Sequence, residues 1–308
     1  MDTIVIKQMP WSGLLLLVYL TTVVRADELP LGDPFQPSIS GCEVVWQQDL
    51  VELPKTVPHY IAGGHRFSQN FVDFFKRLGE FTPEARIPPL EHWVVRNDTE
   101  VYETESRNLN VSPVTGSMIY CYRQDSNNTD LKEAPSVEEA RAKAKKLLME
   151  LKIDLAAVAF DGVQFTSGTT TRFDRALGKI VKTRSSTGMF LPRLYEGCRS
   201  NHGGIRIDYK LGAELTDFSI CWRDVELMGR RKIPSREEIA KQLVDGRGIV
   251  MMDSAQNAQK LMIKKISVIY REAEPFKKAD TVEPVLLIKA DAEVNGVSAD
   301  CTIYLKLQ

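Results

Sequence analysis

The stretch GGIRIDYKLGAELTDFSICWRD, residues 203–224, does most to decide the fold. Its side chains alternate between apolar and polar on both sides of a Gly212-Ala213 turn. The apolar set comprises Ile205, Ile207, Tyr209 and Leu211 before the turn and Phe218, Ile220 and Trp222 after it. A period of two residues is typical of antiparallel strands that pack on one side only. The stretch therefore predicts two antiparallel strands with one buried face.

A second strand pair is predicted near the end of the chain. Apolar residues alternate with polar ones from Leu286 to Val294, and a similar run, VSADCTIYLKL, follows Asn295-Gly296. Asn-Gly between two such runs is a strong hairpin signal, because both turn positions need a positive φ. We expect a β-hairpin here.

Two helices are predicted by a pattern that occurs twice. Pro-Ser-x-Glu-Glu stands at 135–139 and again at 234–238, and each copy runs into an amphipathic helical pattern. In both copies the serine and the second glutamate form a capping box, which satisfies backbone N–H groups at a helix start. A further helix is expected after Ser68, with one apolar stripe formed by Phe71, Phe74, Phe75 and Leu78.

The repeat extends to the strands that precede the two helices. Ile119-Tyr120-Cys121-Tyr122-Arg123 comes before the first copy, and Ile220-Cys221-Trp222-Arg223 comes before the second. The copies are about a hundred residues apart, which indicates an internal duplication. We therefore predict an α+β protein built from repeated helix-on-antiparallel-sheet modules.

This prediction divides the chain into four regions. They are a signal peptide at 1–26, an N-terminal α+β region at 27–133, a helix-plus-meander module at 134–232 and a helix-plus-hairpin module at 233–308.

Residues 134–308 resemble the tandem PepSY-like modules of extracytoplasmic bacterial proteins. The features that carry the resemblance are the two Pro-Ser-x-Glu-Glu helix starts, the Ile-Cys-Trp-Arg strand end and a closing strand pair after Tyr270 and Pro284-Val285. The resemblance implies a helix-on-sheet fold and a binding, inhibitory or regulatory role outside the cytoplasm. It implies no catalytic residues.

The start of the chain has the features of a cleaved secretory signal. Lys7 precedes an apolar run at 14–24, and the small residue Ala26 follows. The run is shorter than the ~20 residues that a bilayer-spanning helix needs. We therefore predict a secreted or periplasmic protein with no stable membrane span after signal cleavage. Asn97, Asn110 and Asn127 begin N-glycosylation acceptor patterns, which matter only in a eukaryote.

The charge composition argues against a broad surface for nucleic acid. Forty basic and 41 acidic residues give a net charge of −1. Phosphate-binding patterns are also missing from the sequence, since Gly178-Lys179 lacks the upstream glycine of a Walker motif. The sequence predicts no nucleic-acid partner and no cofactor.

Cys198 and His202 are the candidates for catalysis, because a cysteine beside an imidazole can become a reactive thiolate. An inert or disulfide-bonded loop cysteine is nevertheless the favoured interpretation. No metal site is predicted, because the histidines show no His-Glu-x-x-His spacing and no Cys-x-x-Cys pair occurs. The tract TSGTTT, residues 166–171, is expected to be a loop.

Five cysteines in an oxidising compartment leave at least one unpaired within the chain. Cys121 and Cys221 occupy matching positions of the two copies. They could pair with each other or be small residues packed under a helix, and the second interpretation is favoured.

These observations favour a secreted or periplasmic, non-enzymatic binding or regulatory protein. Its sheet edges would accept an extended segment of an extracytoplasmic protein or peptide. Two alternatives stay open. One is an extracytoplasmic hydrolase with dispersed acidic residues or a site centred on Cys198, and the other is a structural component of the envelope.

Overall fold

The computed structural model describes residues 40–79, 99–123, 133–161, 163–174, 178–213, 215–250 and 257–307. The predicted signal peptide, His92 and the acceptor residues Asn97 and Asn127 lie outside these ranges. The described residues form 14 strands and three α-helices.

The helices are α1 (Gln69–Gly79), α2 (Val137–Glu150) and α3 (Arg236–Val244). The strands are β1 (Glu43–Trp46), β2 (Thr56–Ala62), β3 (Glu100–Glu103), β4 (Arg107–Ser112), β5 (Ser117–Tyr122), β6 (Gln164–Asp174), β7 (Lys179–Tyr195), β8 (Cys198–Lys210), β9 (Leu215–Cys221), β10 (Val225–Lys232), β11 (Ile249–Val250), β12 (Lys260–Arg271), β13 (Thr281–Val294) and β14 (Val297–Lys306).

Seven strands form an antiparallel part of the sheet, in the order β3-β4-β5-β9-β8-β7-β6. Helices α1 and α2 contribute to its hydrophobic core. Fully buried members of that core are Phe75, Leu109, Leu148, Ile207 and Phe218. Burial of apolar side chains between helices and sheet supplies the main driving force for this packing.

The other strands surround β12 and β13. β13 pairs with β12 on one edge and β14 on the other. Its first residues also pair with β2, which in turn pairs with β10. β1 runs parallel to β12, and β11 pairs with β14. Helix α3 places Ile239 and Leu243 in a second core with Leu261, Ile288 and Ile303. In the described chain, the pair Ser200–Tyr270 between β8 and β12 connects the two parts of the sheet.

The prediction of an α+β fold with repeated helix-on-sheet modules is wrong. The protein is mostly β-sheet, and its 14 described strands belong to one mixed sheet. The strands that contain Cys121 and Cys221 were expected in separate copies, yet they are the adjacent strands β5 and β9. Alternation of apolar residues defines the buried face of a strand, but it does not specify which strand lies beside it.

Both predicted strand pairs are confirmed. Ile205 and Ile207 on β8 and Phe218 on β9 are fully buried, and the two strands pair antiparallel. In the second pair, β13 and β14 are joined by Asn295 and Gly296, whose φ angles are 53° and 78°. Both turn residues therefore adopt the left-handed conformation that the Asn-Gly signal predicts.

The predicted helix starts are confirmed as well. Ser136 and Ser235 each accept a hydrogen bond from the backbone N–H three residues later, and Glu139 and Glu238 accept one from the serine N–H in return. Ser68 precedes α1, which buries Phe71 and Phe75. No helix among the described residues combines the length and the apolar content that a membrane span requires.

Candidate functional site

Cys198 and His202, the candidates from the sequence, both lie on β8. The register of β8 against β7 shifts here, because Leu194 pairs with Arg199 and Pro192 pairs with Gly204, so residues 200–203 are an irregular part of the strand. Burial and the nearby Glu196 carboxylate raise the pKa of the Cys198 thiol. A raised pKa reduces the thiolate fraction on which nucleophilic reactivity depends.

The five cysteines, all of which are described, are free thiols in the structure. Cys121 lies opposite Asp217 and Cys221 lies opposite Ser117, so the two cysteines are about 13 Å apart along their strands. Burial raises the pKa of Cys121 to about 12, with a further contribution from Asp217. Burial also raises the pKa of Cys221 to about 11. Neither environment favours a reactive thiolate.

The histidines occupy separate surroundings. His59 is buried on β2, and His65 Nδ1 lies 2.9 Å from Asp224 Oδ1. Within the described ranges, no three or more His, Cys, Asp and Glu side chains come together in a way that could hold a metal ion.

Asn110, the acceptor residue that the structure describes, lies within β4. Its Nδ2 donates a hydrogen bond of 2.6 Å to Asn108 Oδ1, and Ser112 of the acceptor pattern is buried. The acceptor Asn110 thus lies in a strand that is paired on both sides.

Arg223 and Glu272 form a buried ion pair that the sequence did not reveal. Arg223 is 0% exposed and Glu272 is 2% exposed, and Arg223 Nη1 lies 3.2 Å from Glu272 Oε2. The hydroxyls of Tyr195 and Ser200 donate to Glu272 Oε1 over 2.9 and 2.7 Å. Both carboxylate oxygens are thus occupied, as a buried charge requires.

The same guanidinium also holds the loop between β12 and β13. Arg223 Nη1 donates to Ala273 O over 3.0 Å, and Nη2 donates to Glu274 O and Lys277 O over 3.1 and 2.8 Å. Gly203 packs so closely on the carboxylate that an added Cβ would lie 1.7 Å from Glu272 Oε1. The network joins β8, the end of β9 and the β12–β13 loop, so its role is structural. The only sequence signal for it was a charged residue directly after each alternating strand.

Strand β6 ends the seven-stranded part of the sheet. It pairs with β7 over its whole length, and none of the described strands pairs with its opposite edge, here called the outer edge. Residues 166–171, expected to be a loop, belong to this strand, so that expectation is wrong. The threonines favour a strand because their branched side chains fit a pleated surface.

The β6–β7 hairpin extends beyond the rest of the sheet. β8 pairs with β7 only from Ser186 onward, so residues 169–174 and 179–184 form a two-stranded ribbon past the end of β8. The adjacent residues Thr169, Thr170 and Thr171 are all exposed, which shows that both faces of β6 meet solvent there. Ile180 on β7 is 68% exposed. The ribbon buries little apolar surface, and isolated two-stranded ribbons are marginally stable.

The outer edge of β6 is regular, because the irregularity in this hairpin belongs to β7. Gly168 pairs with Ser186 and Thr169 pairs with Arg184, which leaves Ser185 as an extra residue on β7. Gly168 N donates to Ser186 Oγ over 3.1 Å. Successive strand residues direct their backbone groups to opposite edges, so the N–H and C=O of Thr169 face the outer edge.

Comparisons with known proteins give no family. No family model matches the chain, and no curated protein does. An uncharacterized protein from Eubacterium rectale with a solved crystal structure is similar to this chain at a TM-score of 0.48 and 14% sequence identity, over 85% of this chain and 87% of the other.

Proposed function

We propose that the protein is a secreted or periplasmic, non-enzymatic binding protein that takes up an extended segment of a partner protein as an added strand on β6. The observation that carries the proposal is the outer edge of β6, an 11-residue strand that pairs, among the described strands, on one side only. An unpaired strand edge presents N–H and C=O groups that can hydrogen-bond to a further strand.

The edges of β10, β1, β3 and β11 are less suited to accept a partner. β10 has a register shift between Leu227 and Gly229 and ends in Arg230, Arg231 and Lys232. Bulges and charged side chains on an edge strand discourage further pairing. β1 and β3 have four residues each, and β11 has two. β6 is longer than these strands and its own backbone carries no bulge.

The secretory features of residues 1–26 support a location outside the cytoplasm. The raised pKa of Cys198 weakens the alternative of a hydrolase centred on that cysteine. Strand addition needs no reactive side chain, which agrees with the threonine and serine hydroxyls along β6.

The proposal is tested with two substitutions at Thr169. Thr169→Pro removes the N–H that faces the outer edge, and proline is tolerated where a strand N–H faces solvent. Thr169→Val keeps the N–H and the branched shape, so it is the matched control. The protein from residue 27 onward, in each form, is immobilised and incubated with the extracytoplasmic fraction of its own source, and captured proteins are identified by mass spectrometry.

We expect the unmodified protein and Thr169→Val to capture the same saturable partner, and Thr169→Pro to lose it while its circular dichroism and melting temperature stay close to those of the control. Equal capture by all three forms would place binding elsewhere and refute the β6 site. Absence of any saturable partner would refute the binding function itself.

A further inference from the structure

We infer that the outer edge of β6 also pairs with β6 of a second copy of this chain, antiparallel and with Thr169 of both copies at the two-fold axis. The inference concerns the same edge as the proposed function. It goes beyond that function, because self-pairing needs no other protein. It follows from the sequence of β6, the register of the β6–β7 hairpin and the position of the ribbon relative to the rest of the sheet.

The sequence of β6 is suited to pairing with itself. QFTSGTTTRFD reads similarly in both directions from Thr169, since Ser167 and Thr171 stand two residues away from it and Phe165 and Phe173 stand four residues away. Antiparallel pairing about Thr169 therefore places Ser167 of one copy opposite Thr171 of the other. Cross-strand pairs of threonine with threonine or serine stabilise antiparallel sheets.

The charged residues of β6 do not oppose this register. Arg172 of one copy lies opposite Thr166 of the other, and Asp174 lies opposite Gln164. Like charges destabilise a strand pair when they are directly opposite each other. The register about Thr169 creates no such pair along β6.

The cations of β7 are too far apart to prevent the pairing. Arg184 is opposite Thr169 within each copy. The two Arg184 positions would be separated by three strand spacings, which is about 14 Å. This distance exceeds the Debye length of about 8 Å at physiological ionic strength, so salt screens their repulsion.

The backbone groups of the two edges match in this register. The N–H and C=O of Thr169 face the outer edge, and so do those of Ser167 and Thr171, because alternate strand residues face the same edge. The two copies of Thr169 can thus exchange a pair of N–H···O bonds. β6 carries no bulge that would interrupt the ladder on either side of the axis.

The wide parts of the two sheets lie at opposite ends of the paired strands. β8 pairs with β7 only from Ser186 onward, and Ser186 is opposite Gly168. Each copy therefore has the wide part of its sheet beside residues 164–168 and the two-stranded ribbon beside residues 169–174. In an antiparallel pair the ribbon of one copy lies along the wide part of the other, so the wide parts do not collide.

The contact is small, which makes the self-association weak. The exposed residues Thr169, Thr170 and Thr171 have short side chains, and the copies meet along one strand edge. Interfaces that bury less than about 1,200 Å² belong to weak and transient complexes. Dilute protein should therefore be monomeric, and the dimer should form only as concentration rises.

Sedimentation velocity of the protein from residue 27 onward tests the inference. Measurements cover about 1 µM to 1 mM, the range in which weak complexes form. We expect the mass to rise with concentration toward twice that of a single chain. Thr169→Pro lacks the N–H at the axis and should stay monomeric, whereas Thr169→Val keeps it and should associate like the unmodified protein.

Two charge substitutions locate the axis. In Thr169→Lys and in Thr169→Glu, each introduced charge lies opposite its own copy, so each variant alone should associate about fivefold more weakly. An equal mixture of the two should regain the lost affinity, because lysine then faces glutamate. Thr170→Lys and Thr170→Glu are the matched controls. Thr170 lies opposite Gly168 in this register, so mixing these variants should restore much less.

The outcomes separate this inference from the proposed function. A monomer at every concentration, with loss of a captured partner in Thr169→Pro, would refute self-pairing and leave the proposed function standing. A dimer that persists in Thr169→Pro, or no gain when the lysine and glutamate variants at Thr169 are mixed, would refute the pairing about Thr169. A dimer with the expected dependence on Thr169 in a protein that captures no partner would support self-pairing and refute the proposed function.

Discussion

At the scale of single residues, Ser136 and Ser235 show how a short motif acts without a catalytic role. Each serine hydroxyl accepts a hydrogen bond over 3.2 Å from the backbone N–H of the glutamate three residues later, and the carboxylate of that glutamate accepts one over 2.7 Å from the serine backbone N–H. These bonds satisfy N–H groups that a helix start leaves without intrahelical partners. The repeated Pro-Ser-x-Glu-Glu is therefore a signal for helix initiation.

Ser136→Ala and Ser235→Ala should each lower the free energy of unfolding by about 1 kcal/mol, because a capping hydrogen bond is lost. Urea titration followed by circular dichroism measures the change, and partner capture should be retained. Ser136→Asp and Ser235→Asp are the controls, since aspartate also caps helices. If the aspartate variants lost as much stability as the alanine variants, the capping role would be contradicted.

The capping box at α2 should also respond to acid. Hydrogen bonds from Ser136, first from its backbone N–H and then from its side chain, lower the pKa of Glu139. A carboxylate with a lowered pKa in the folded state contributes stability that is present above its unfolded pKa and is lost as pH falls through the folded value. The difference in stability between Ser136→Ala and the unmodified protein should accordingly shrink in acid.

At the scale of elements, β6 and β13 differ strongly in how they are paired and packed within the sheet. β13 lies between β12 and β14, and Leu286, Ile288 and Ala292 on it are fully or almost fully buried. The ribbon of β6 and β7 has one strand pairing and exposed threonines. Local stability depends on such packing, so the two elements should open at very different free energies.

Hydrogen–deuterium exchange measured by mass spectrometry should show this difference. Amides of 169–171 and 179–183 should exchange several orders of magnitude faster than those of 285–292, because opening the ribbon exposes little apolar surface. A bound partner strand should slow exchange at β6, whereas β13 should be unaffected. Equal protection of the ribbon and β13 in the free protein would contradict this account.

At the scale of the whole molecule, the Arg223–Glu272 pair links the two parts of the sheet. Arg223 follows β9 in the seven-stranded part, and Glu272 follows β12 in the other part. Tyr195 and Ser200 from β7 and β8 complete the carboxylate's hydrogen bonds. A buried pair of this kind contributes modestly to net stability, but loss of one partner leaves an uncompensated charge.

Glu272→Gln should lower the free energy of unfolding by about 3–5 kcal/mol, since Arg223 would stay charged in a dry environment. Urea unfolding measures this change. Arg223→Gln and the double variant complete a mutant cycle, in which the double variant should lose clearly less than the sum of the two single losses. Additive losses would show that the two side chains do not stabilise each other.

The sequence by itself determined the local structure of many elements. Period-two alternation predicted β8, β9, β13 and β14, Asn295-Gly296 predicted the turn between the last two, and two serines predicted the starts of α2 and α3. These features depend on interactions between residues close in the chain, so they can be predicted from the sequence alone. The charge balance and the signal-like start were read in the same way, and the location they predict stays a prediction.

Only the tertiary structure decided which strands are neighbours. The similar strands β5 and β9 pair with each other, and β6 pairs on one side alone within the part of the chain that the structure describes. Pairing partners are chosen by contacts between residues far apart in the chain, which alternation does not encode. For the same reason Arg223 and Glu272, 49 residues apart, appeared in the sequence as unrelated charges. The outer edge of β6 likewise depends on the order of the described strands in the sheet, which is set by long-range pairing.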